Sequence, residues 1–371
     1  MTKKLNIVSF NVPYPADFGG AIDVFYKLKS LSEAGIQIYL HTFEYGRGRA
    51  SELDKYCEKV FYYKRDRSFF KGMQLTPYIV ASRKNKELIK NLNASQAPVL
   101  FEGIHTTAPL KSKVFKSERT FVRMHNLEHD YYEGLFRAEP NILKKFYYWV
   151  ESKKLKSYQK TLNTADTILS ISPADQLYFE KNLKTDSIFV PALHPNEKVE
   201  HLKKKGYFAL FHGDLSVWDN RKAAHFLANI FSRLDIPLII AGRTDDKKLL
   251  EKIETAKNLK FISLQNQEQL DDLMQRAHIN LFWSSHASGI KIKLLNALYN
   301  GRFCLVNKPV VDGSGLEDLC EVVDDEKSLV YKAIQLMDVE FSDEQYFHRK
   351  EKMASYDKKH NTERLLEILN L

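Results

Sequence analysis

Cysteine is scarce in this sequence of 371 residues, which contains only Cys57, Cys304 and Cys320. Three scattered thiols exclude a disulfide framework and a cysteine zinc site, so the sequence favours a reducing, cytoplasmic compartment. Long apolar runs are also missing, because no stretch approaches the roughly 20 residues that span a bilayer. The N-terminal segment shows no secretory pattern. We therefore expect neither a secreted nor a membrane-spanning protein.

A dense basic tract is another feature that the chain lacks. The formal net charge is +9, but the lysines alternate with many carboxylates along the whole sequence. No Cys/His finger, RNP-like aromatic motif or basic zipper is present, so nucleic-acid binding is not expected. Phosphorylated ligands and anionic lipid remain compatible with the positive balance.

Enough apolar sequence is present for two folded domains. The hydrophobic fraction is 44% and aromatic residues make up 12%, which excludes intrinsic disorder as the main state. At roughly 150 residues per domain, the length indicates two domains. The fold class predicted is α/β, because strand and helix patterns alternate in both halves. We expect two Rossmann-like doubly wound domains facing a cleft, followed by a C-terminal helical tail.

The predicted domain boundaries follow changes in composition. Residues 1–191 form an N-terminal domain, and 192–205, rich in proline and charge, form a linker. Residues 206–340 form a C-terminal domain. Residues 341–371 are helical in composition, and packing of this tail back on the N-terminal domain is left open.

Loops that follow the strands of the first half carry polar candidates, because ligands of doubly wound sheets bind beyond the carboxyl ends of the strands. Gly19 and Gly20 precede a helix, where backbone N–H groups can approach an anionic or carbonyl-rich ligand. A plain tight turn explains them equally well. His105 and His125 each follow a strand, and a neutral imidazole can bond a sugar hydroxyl or take a proton. A metal is not expected, because Glu128 and its neighbouring histidines lack a metal-ligand pattern.

The second half presents cations at comparable positions. Gly213 and Asp214 end its first strand, and Arg243 ends the next. Lys291 and Lys293 stand at the start of a helix, where positive charge suits a diphosphate without a bridging metal. Each cation alone is more simply a solvated surface group, but together they favour a phosphate site.

Two segments combine aromatic residues with lysines and arginines, at 61–84 and at 144–160. This composition is typical of a membrane interface, and equally of an ordinary half-buried helix. If the two segments form a membrane interface, we expect a lipid-linked acceptor and a peripheral position of the protein at the inner membrane surface.

Taken together, these motifs resemble the GT-B glycosyltransferases, and most of all the retaining family 4 group in bacterial surface-polysaccharide synthesis. The loop from Pro13 to Gly20 is similar to that family's first loop. Arg123, His125, Asn126 and Glu128 resemble the loop whose histidine reaches the transferred sugar. The segment from Ser288 to Gly301 resembles the signature of the nucleotide-sugar half. The resemblance thus implies that residues 206–340 bind the nucleotide sugar and that residues 1–191 form the acceptor side.

Several positions depart from the family's pattern. Ser288 and Asn296 stand where the signature has glutamates, and Asp214 and Asn220 stand where arginine and lysine are usual. Asparagine can still bond the ribose hydroxyls, although without charge assistance. Donor binding is thereby assigned to Arg243, Lys291, Lys293 and helix ends.

The resemblance implies a hexosyltransferase of class EC 2.4 that acts with retention on a glycan or lipid-linked hydroxyl, with a nucleotide-diphosphate sugar as donor and no cofactor. Lys293 and Arg243 would stabilise the leaving diphosphate, and His125 would orient the sugar. The residues predicted to bind the donor are Gly19, Gly20, Gly213, Asp214, Asn220, Ser288, Gly289, Lys291 and Asn296. The acceptor or sugar contacts predicted are His105, Arg123, Asn126 and Glu128.

Two alternatives remain open at this point. One is a catalytically weakened GT-B subunit that binds glycans or acts as a scaffold, an interpretation that Ser288 and Asn296 keep in play. The other is a non-transferase sugar-nucleotide enzyme of the same fold, such as an epimerase or a phosphorylase.

Overall fold

The structure, a computed structural model, describes residues 3–285 and 291–371 and contains two sheets whose strands are all parallel. Contacts divide the chain into unit 1, residues 1–195 and 355–371, and unit 2, residues 196–354. Helices connect successive strands in both units, as parallel pairing requires. The predicted α/β class with two doubly wound sheets is confirmed.

Unit 1 is built on a seven-stranded sheet with the order β3-β2-β1-β4-β5-β6-β7. Its strands are β1 (Lys4–Ser9), β2 (Gln37–Glu44), β3 (Lys59–Lys64), β4 (Val99–Glu102), β5 (Thr120–Met124), β6 (Thr167–Ser170) and β7 (Ser187–Phe189). Its helices are α1 (Gly19–Glu33), α2 (Phe69–Gly72), α3 (Tyr78–Ala81), α4 (Lys86–Ser95), α5 (Glu128–Ala138), α6 (Ile142–Tyr158) and α7 (Pro173–Asn182). Separate apolar clusters, one around Leu28 and one around Phe101, bury the sheet.

Unit 2 is built on a six-stranded sheet with the order β10-β9-β8-β11-β12-β13. Its strands are β8 (Ala209–Asp214), β9 (Leu238–Arg243), β10 (Leu259–Ser263), β11 (Ile279–Phe282), β12 (Phe303–Asn307) and β13 (Glu321–Val323). Its helices are α8 (Trp218–Phe231), α9 (Lys247–Thr255), α10 (Gln267–Arg276), α11 (Ile292–Asn300), α12 (Lys308–Val311), α13 (Glu326–Asp338) and α14 (Asp343–Met353). Phe211, Phe231 and Leu281 lie in its buried core.

The end of the chain is helical, as predicted. The helix α14 belongs to unit 2, whereas the last helix, α15 (Lys358–Leu369), belongs to unit 1. Leu365 and Leu369 of α15 are buried in the same apolar cluster as Leu28 of α1. The chain therefore returns to its first unit after completing the second.

One strand was not predicted. Residues 59–64 pair in parallel with β2 and form the edge strand β3. The aromatic and basic segment 61–84, interpreted above as a membrane interface or a half-buried helix, thus starts inside a sheet. Within the described ranges, no helix is long and apolar enough to cross a membrane.

Each sheet has a point where the strand order reverses, at β1/β4 in unit 1 and at β8/β11 in unit 2. In open parallel sheets, loops that leave the carboxyl ends of the strands at this point form a crevice for ligands. In unit 1, His105 and His125 follow β4 and β5; in unit 2, Asp214 and Arg243 end β8 and β9.

Candidate functional site

A buried cluster of charges lies under the first reversal point. Asp23 and Lys27 come from α1, one helical turn apart, and Glu102 is the last residue of β4. The Nζ atom of Lys27 lies 3.1 Å from Oδ2 of Asp23 and 2.7 Å from Oε1 of Glu102. Burial alone would raise the pKa of both carboxyls, but Lys27 and the neighbouring cations lower it overall. Both carboxylates are therefore charged in the folded protein.

Arg123 belongs to this cluster and is only 1% exposed. Its guanidinium has five N–H donors, and its hydrogen bonds use every nitrogen, with partners Asp23 Oδ2, Asp23 Oδ1, Ser170 O, Val190 O and Pro191 O. With these partners no donor is left for a ligand. The sugar-contact role predicted for Arg123 is therefore replaced by a structural one: it fastens the chain after β7 to β5 and α1.

His125 follows β5 and extends the cluster towards the carboxyl ends of the strands. Its Nε2 lies 2.8 Å from Oε2 of Glu102, and its Nδ1 lies 3.7 Å from Oδ2 of Asp23. The ring also packs edge-on against Phe10, with centroids 5.6 Å apart. These contacts fix the orientation of the imidazole, which is 10% exposed.

The same three residues are the kind of set that can hold a metal ion. One ligand atom each from Asp23, Glu102 and His125 lies within 4.8 Å of the others. The Lys27 ammonium already bridges the two carboxylates, and Arg123 pairs with Asp23. A divalent cation would have to displace these charges, so the donor set does not fit a metal well.

His105 packs against Phe10, as His125 does. The rings of His105 and Phe10 have centroids 5.1 Å apart, and the buried Nδ1 of His105 makes no hydrogen bond within the described residues. Burial, with help from nearby cations, holds the pKa of His105 well below its usual value. A neutral imidazole is thus placed at the first reversal point. Gly103 precedes it at a φ of +72°, where a Cβ would lie 2.8 Å from that Nδ1.

Asn126 and Glu128 follow His125, and Glu128 begins α5. Their side chains are 3.5 Å apart. Burial raises the pKa of Glu128 to about 7, although Asn126 and Arg83 act in the opposite direction. A carboxyl that titrates near neutrality can donate or accept a proton.

Gly19 and Gly20 open α1, and no side chain caps this helix at Phe18. A Cβ on Gly20 would lie 2.6 Å from Cζ of Phe10. The need for glycine at position 20 is therefore explained by the Phe10 ring. The first N–H groups of α1 remain suited to an anionic or carbonyl group.

In unit 2, two glycines bring β8 and β9 together beside the second reversal point. Gly213 and Gly242 are partners in the β8/β9 register, and a Cβ on Gly242 would lie 2.0 Å from the Gly213 carbonyl oxygen. The side chain of Asn220 lies over Gly213, 3.2 Å from the position that a Cβ on this glycine would occupy. No side chain therefore fits between the backbones of β8 and β9 at this end of the two strands.

Asn220 positions Lys293 beside the carboxyl end of β8. Its Nζ donates to Oδ1 of Asn220 at 3.1 Å, while Nδ2 of Asn220 donates to the Asp214 carbonyl oxygen at 2.9 Å. Burial and the positive charge of Lys291 lower the pKa of Lys293 to about 8, although Asp219 opposes this. Burial also lowers the pKa of Lys291. Desolvation thus disfavours the protonated forms of Lys291 and Lys293, and an anion bound beside them would stabilise these forms.

Asp219 and His212 complete this neighbourhood. Asp219 accepts from Ser284 Oγ at 2.8 Å and from the Ser285 backbone N–H at 3.0 Å, which ties α8 to the loop after β11. Burial, together with Lys293, lowers the pKa of His212 to about 3. Its Nε2 is buried and makes no hydrogen bond within the described part of the chain.

Four further candidates of unit 2 remain, and two of them lie outside the described residues. Arg243 ends β9 with an exposed side chain, in register with Asp214. Asn296 lies one turn beyond Lys293 on α11, where its Nδ2 contacts Met274 Sδ at 3.9 Å and its Oδ1 accepts from Asn300 at 3.0 Å. Ser288 and Gly289 lie outside the described residues.

Sequence reasoning missed Asp23, Lys27, Glu102 and Arg83. Arg83 is buried, and it donates to the Phe10 carbonyl oxygen at 2.9 Å. Two charges four residues apart on the apolar face of α1 were a usable signal for Asp23 and Lys27, because buried charges are almost always paired. No pattern in the sequence indicates Arg83 or Glu102.

The comparisons with known proteins give one curated relative and many structural neighbours. No protein-family model matches the chain. An uncharacterized 44.6 kDa protein in the cps region of Klebsiella pneumoniae is 28% identical over 331 residues, which covers 84% of each protein.

Among solved structures, TarM superposes with a TM-score of 0.70 at 11% identity, over 100% of this chain and 99% of its own. HepE of Anabaena, solved with UDP and glucose, gives 0.64 at 12% identity over 99% of both chains. A trehalose-6-phosphate synthase studied for glycosyl transfer with retention gives 0.61 at 10% identity, over 99% of this chain and 98% of its own. At these identities the likeness shows the fold, which is that of the GT-B glycosyltransferases.

Proposed function

We propose that the chain is a glycosyltransferase that moves a sugar from a nucleotide-diphosphate donor to a hydroxyl of a glycan or lipid-linked acceptor. The observation that carries the proposal is the pair Lys291 and Lys293 at the reversal point of the second sheet. Burial lowers the pKa of both lysines, and a bound diphosphate would supply the negative charge that favours their protonated forms. HepE, a GT-B neighbour, was solved with UDP and glucose.

Lys293 is the group best placed to stabilise the leaving diphosphate. Asn220 fixes its Nζ, so the positive charge is oriented before the donor arrives, which is how electrostatic stabilisation accelerates a reaction. We assign Arg243 and Lys291 to the same diphosphate and Asn296 to the ribose hydroxyls. The lysines supply the positive charge that a divalent cation provides in other diphosphate sites, so we propose no metal.

The transferred sugar and the acceptor are assigned to unit 1. His125 would orient the sugar, and His105, Asn126 and Glu128 would contact sugar or acceptor. The Glu128 carboxyl, with its pKa raised to about 7, suits removal of a proton from the attacking hydroxyl. We propose retention by attack on the same face as the departing diphosphate, because no second carboxylate is assigned as a covalent nucleophile.

The finer assignment is a hexosyltransferase of surface-polysaccharide synthesis on the cytoplasmic side. Its support is the relative in the cps region of Klebsiella pneumoniae and the glucose bound to HepE. A weakened, glycan-binding subunit is the second candidate. It is favoured by Asn296, whose amide is already engaged by Met274 and Asn300.

Thermal stabilisation by nucleotide sugars tests the proposal directly. We expect a shift of a few degrees with one base from a panel of UDP-, GDP-, ADP-, CMP- and dTDP-sugars at saturating concentration. The variant Lys293→Ala should lose that shift, and Lys248→Ala, which removes an exposed lysine on α9, should keep it. A panel without any shift would overturn donor binding and favour the glycan-binding subunit.

A further inference from the structure

Two segments of unit 1 expose an unusual amount of apolar surface. In α6, Leu143 is 82% exposed and Ile142 is 81% exposed, and Phe146 and Trp149 follow on the next turns. Before α3, Leu75 is 94% exposed and is preceded by Phe70 and Met73, which are also largely exposed. Contiguous apolar surface of this kind marks an interaction site on a soluble domain.

The two segments are held against one another. Nζ of Lys154 donates to the Gly72 carbonyl oxygen at 2.7 Å, and the Tyr78 backbone N–H donates to Oε2 of Glu151 at 2.6 Å. Phe146 and Trp149 pack together, with ring centroids 5.9 Å apart. We call the exposed side chains of 70–75 and 142–149, with the cations around them, the basic apolar surface.

Positive charge is concentrated in the same two segments. Residues 64–84 and 142–160 contain twelve lysines and arginines and two carboxylates, a formal charge of +10, whereas the whole chain carries +9. Both carboxylates are engaged locally, Asp66 by Lys71 and Glu151 by Lys154. Of these twelve cations only Arg83 is buried, so most of the positive charge lies in the two segments that carry this surface.

We infer that the basic apolar surface docks on the face of an anionic lipid bilayer. A lipid surface offers what both features require, since apolar side chains enter the boundary of the acyl chains while lysines meet the anionic headgroups. A second copy of this chain fits less well, because a two-fold interface would place the same positive patch against itself. The inference goes beyond sugar transfer and stands whether or not the chain binds a donor.

Flotation with vesicles measures this docking on the full chain. We expect binding to phosphatidylcholine vesicles that contain phosphatidylglycerol at low salt, weaker binding at high salt, and none to phosphatidylcholine alone. Brominated lipid should quench the fluorescence of the parent more than that of Trp149→Phe. Failure of the parent to float with anionic vesicles at low salt would overturn the inference.

Matched variants locate the contact. The double variant Lys144→Gln/Lys145→Gln should bind about 25-fold more weakly, at about fivefold per lysine, and Leu143→Ser/Phe146→Ser should bind at least about tenfold more weakly. Controls with the same chemistry are Lys247→Gln/Lys248→Gln, on exposed positions of α9, and Tyr331→Ser/Phe347→Ser, on exposed positions of unit 2.

Circular dichroism checks that each variant is folded, and the nucleotide-sugar shift checks the donor site separately. Equal vesicle binding by the parent and both surface variants would contradict the inference. So would a parent dimer, seen by light scattering, that Leu143→Ser/Phe146→Ser converts to monomer, because the surface would then bind a second copy.

Discussion

The charges at the two reversal points are arranged in opposite ways. In unit 1, Asp23, Lys27, Glu102 and Arg123 satisfy one another inside the protein. In unit 2, burial lowers the pKa of both Lys291 and Lys293. The first arrangement stabilises the fold of unit 1, and the second favours binding of a negatively charged ligand. Buried charge alone therefore does not identify a binding site. The lowered pKa values favour the charged form of the unit 1 carboxyls but the neutral form of the unit 2 lysines, and this difference distinguishes the two cases.

The largest expected effect tests the structural character of the unit 1 cluster. Asp23→Ala would leave Arg123 and Lys27 short of a buried counter-charge and would remove the acceptor of the Leu193 N–H. We expect a loss of about 3–5 kcal/mol in the free energy of unfolding, measured by urea denaturation. Asp272→Ala, in an exposed ion pair with Arg276, should change it by less than about 1 kcal/mol. Equal effects of the two substitutions would show that the cluster is not structural.

Glu128 provides the next largest effect, and its sign depends on pH. Burial raises its pKa from 4.5 to about 7, so between these values the folded state binds more protons than the unfolded state and stability falls as pH rises. Glu128→Gln should therefore match the parent near pH 5 and exceed its stability by roughly 3 kcal/mol near pH 8. Glu133→Gln, on the exposed face of α5, is the control. A difference that does not vary with pH would contradict the raised pKa.

Turnover tests the unit 2 cluster. If Lys293 stabilises the leaving diphosphate, Lys293→Ala should lower kcat at least about tenfold, about 1.4 kcal/mol in the barrier, with little change in the free energy of unfolding. Lys248→Ala should leave kcat unchanged. Unchanged turnover in Lys293→Ala would remove this lysine from the mechanism.

The smallest effect is a pH dependence of donor binding. Because the pKa of Lys293 is lowered to about 8, its positive charge is lost as pH rises through 8, and donor affinity should fall by about fivefold between pH 8 and pH 9. Lys293→Arg keeps its charge and should make affinity independent of pH in this range. Lys291→Arg should retain the fall, and if it abolished the fall instead, the titrating group would be Lys291.

Much of the fold could be predicted from the sequence because apolar periodicity records which side chains are buried. The apolar runs at 5–12 and 36–43 predict strands and the helical spacing at 21–34 predicts a helix, and β1, β2 and α1 lie at these places. β3 was missed because its residues, KVFYYK, are mostly half-exposed at a sheet edge and carry lysines at both ends. An edge strand lacks the continuous apolar run that marks a central one.

The candidate site could be predicted only in part. The position after a strand indicated His105 and His125, because the topology brings such loops together. The same reasoning misjudged Arg123, whose side chain is directed inward to Asp23. Whether a strand-end cation is directed to a ligand or into the core depends on partners distant in sequence, here α1 and the segment after β7.

The return of α15 to unit 1 has a consequence for how the protein is made. Leu365 and Leu369 cover the cluster that contains Leu28, and the whole of unit 2 is synthesised between α1 and this covering helix. As a ribosome releases the chain, unit 2 has all its residues while the first unit still lacks its last layer. Until residues 355–371 emerge, the apolar surface that Leu365 and Leu369 cover in the finished protein stays exposed to solvent.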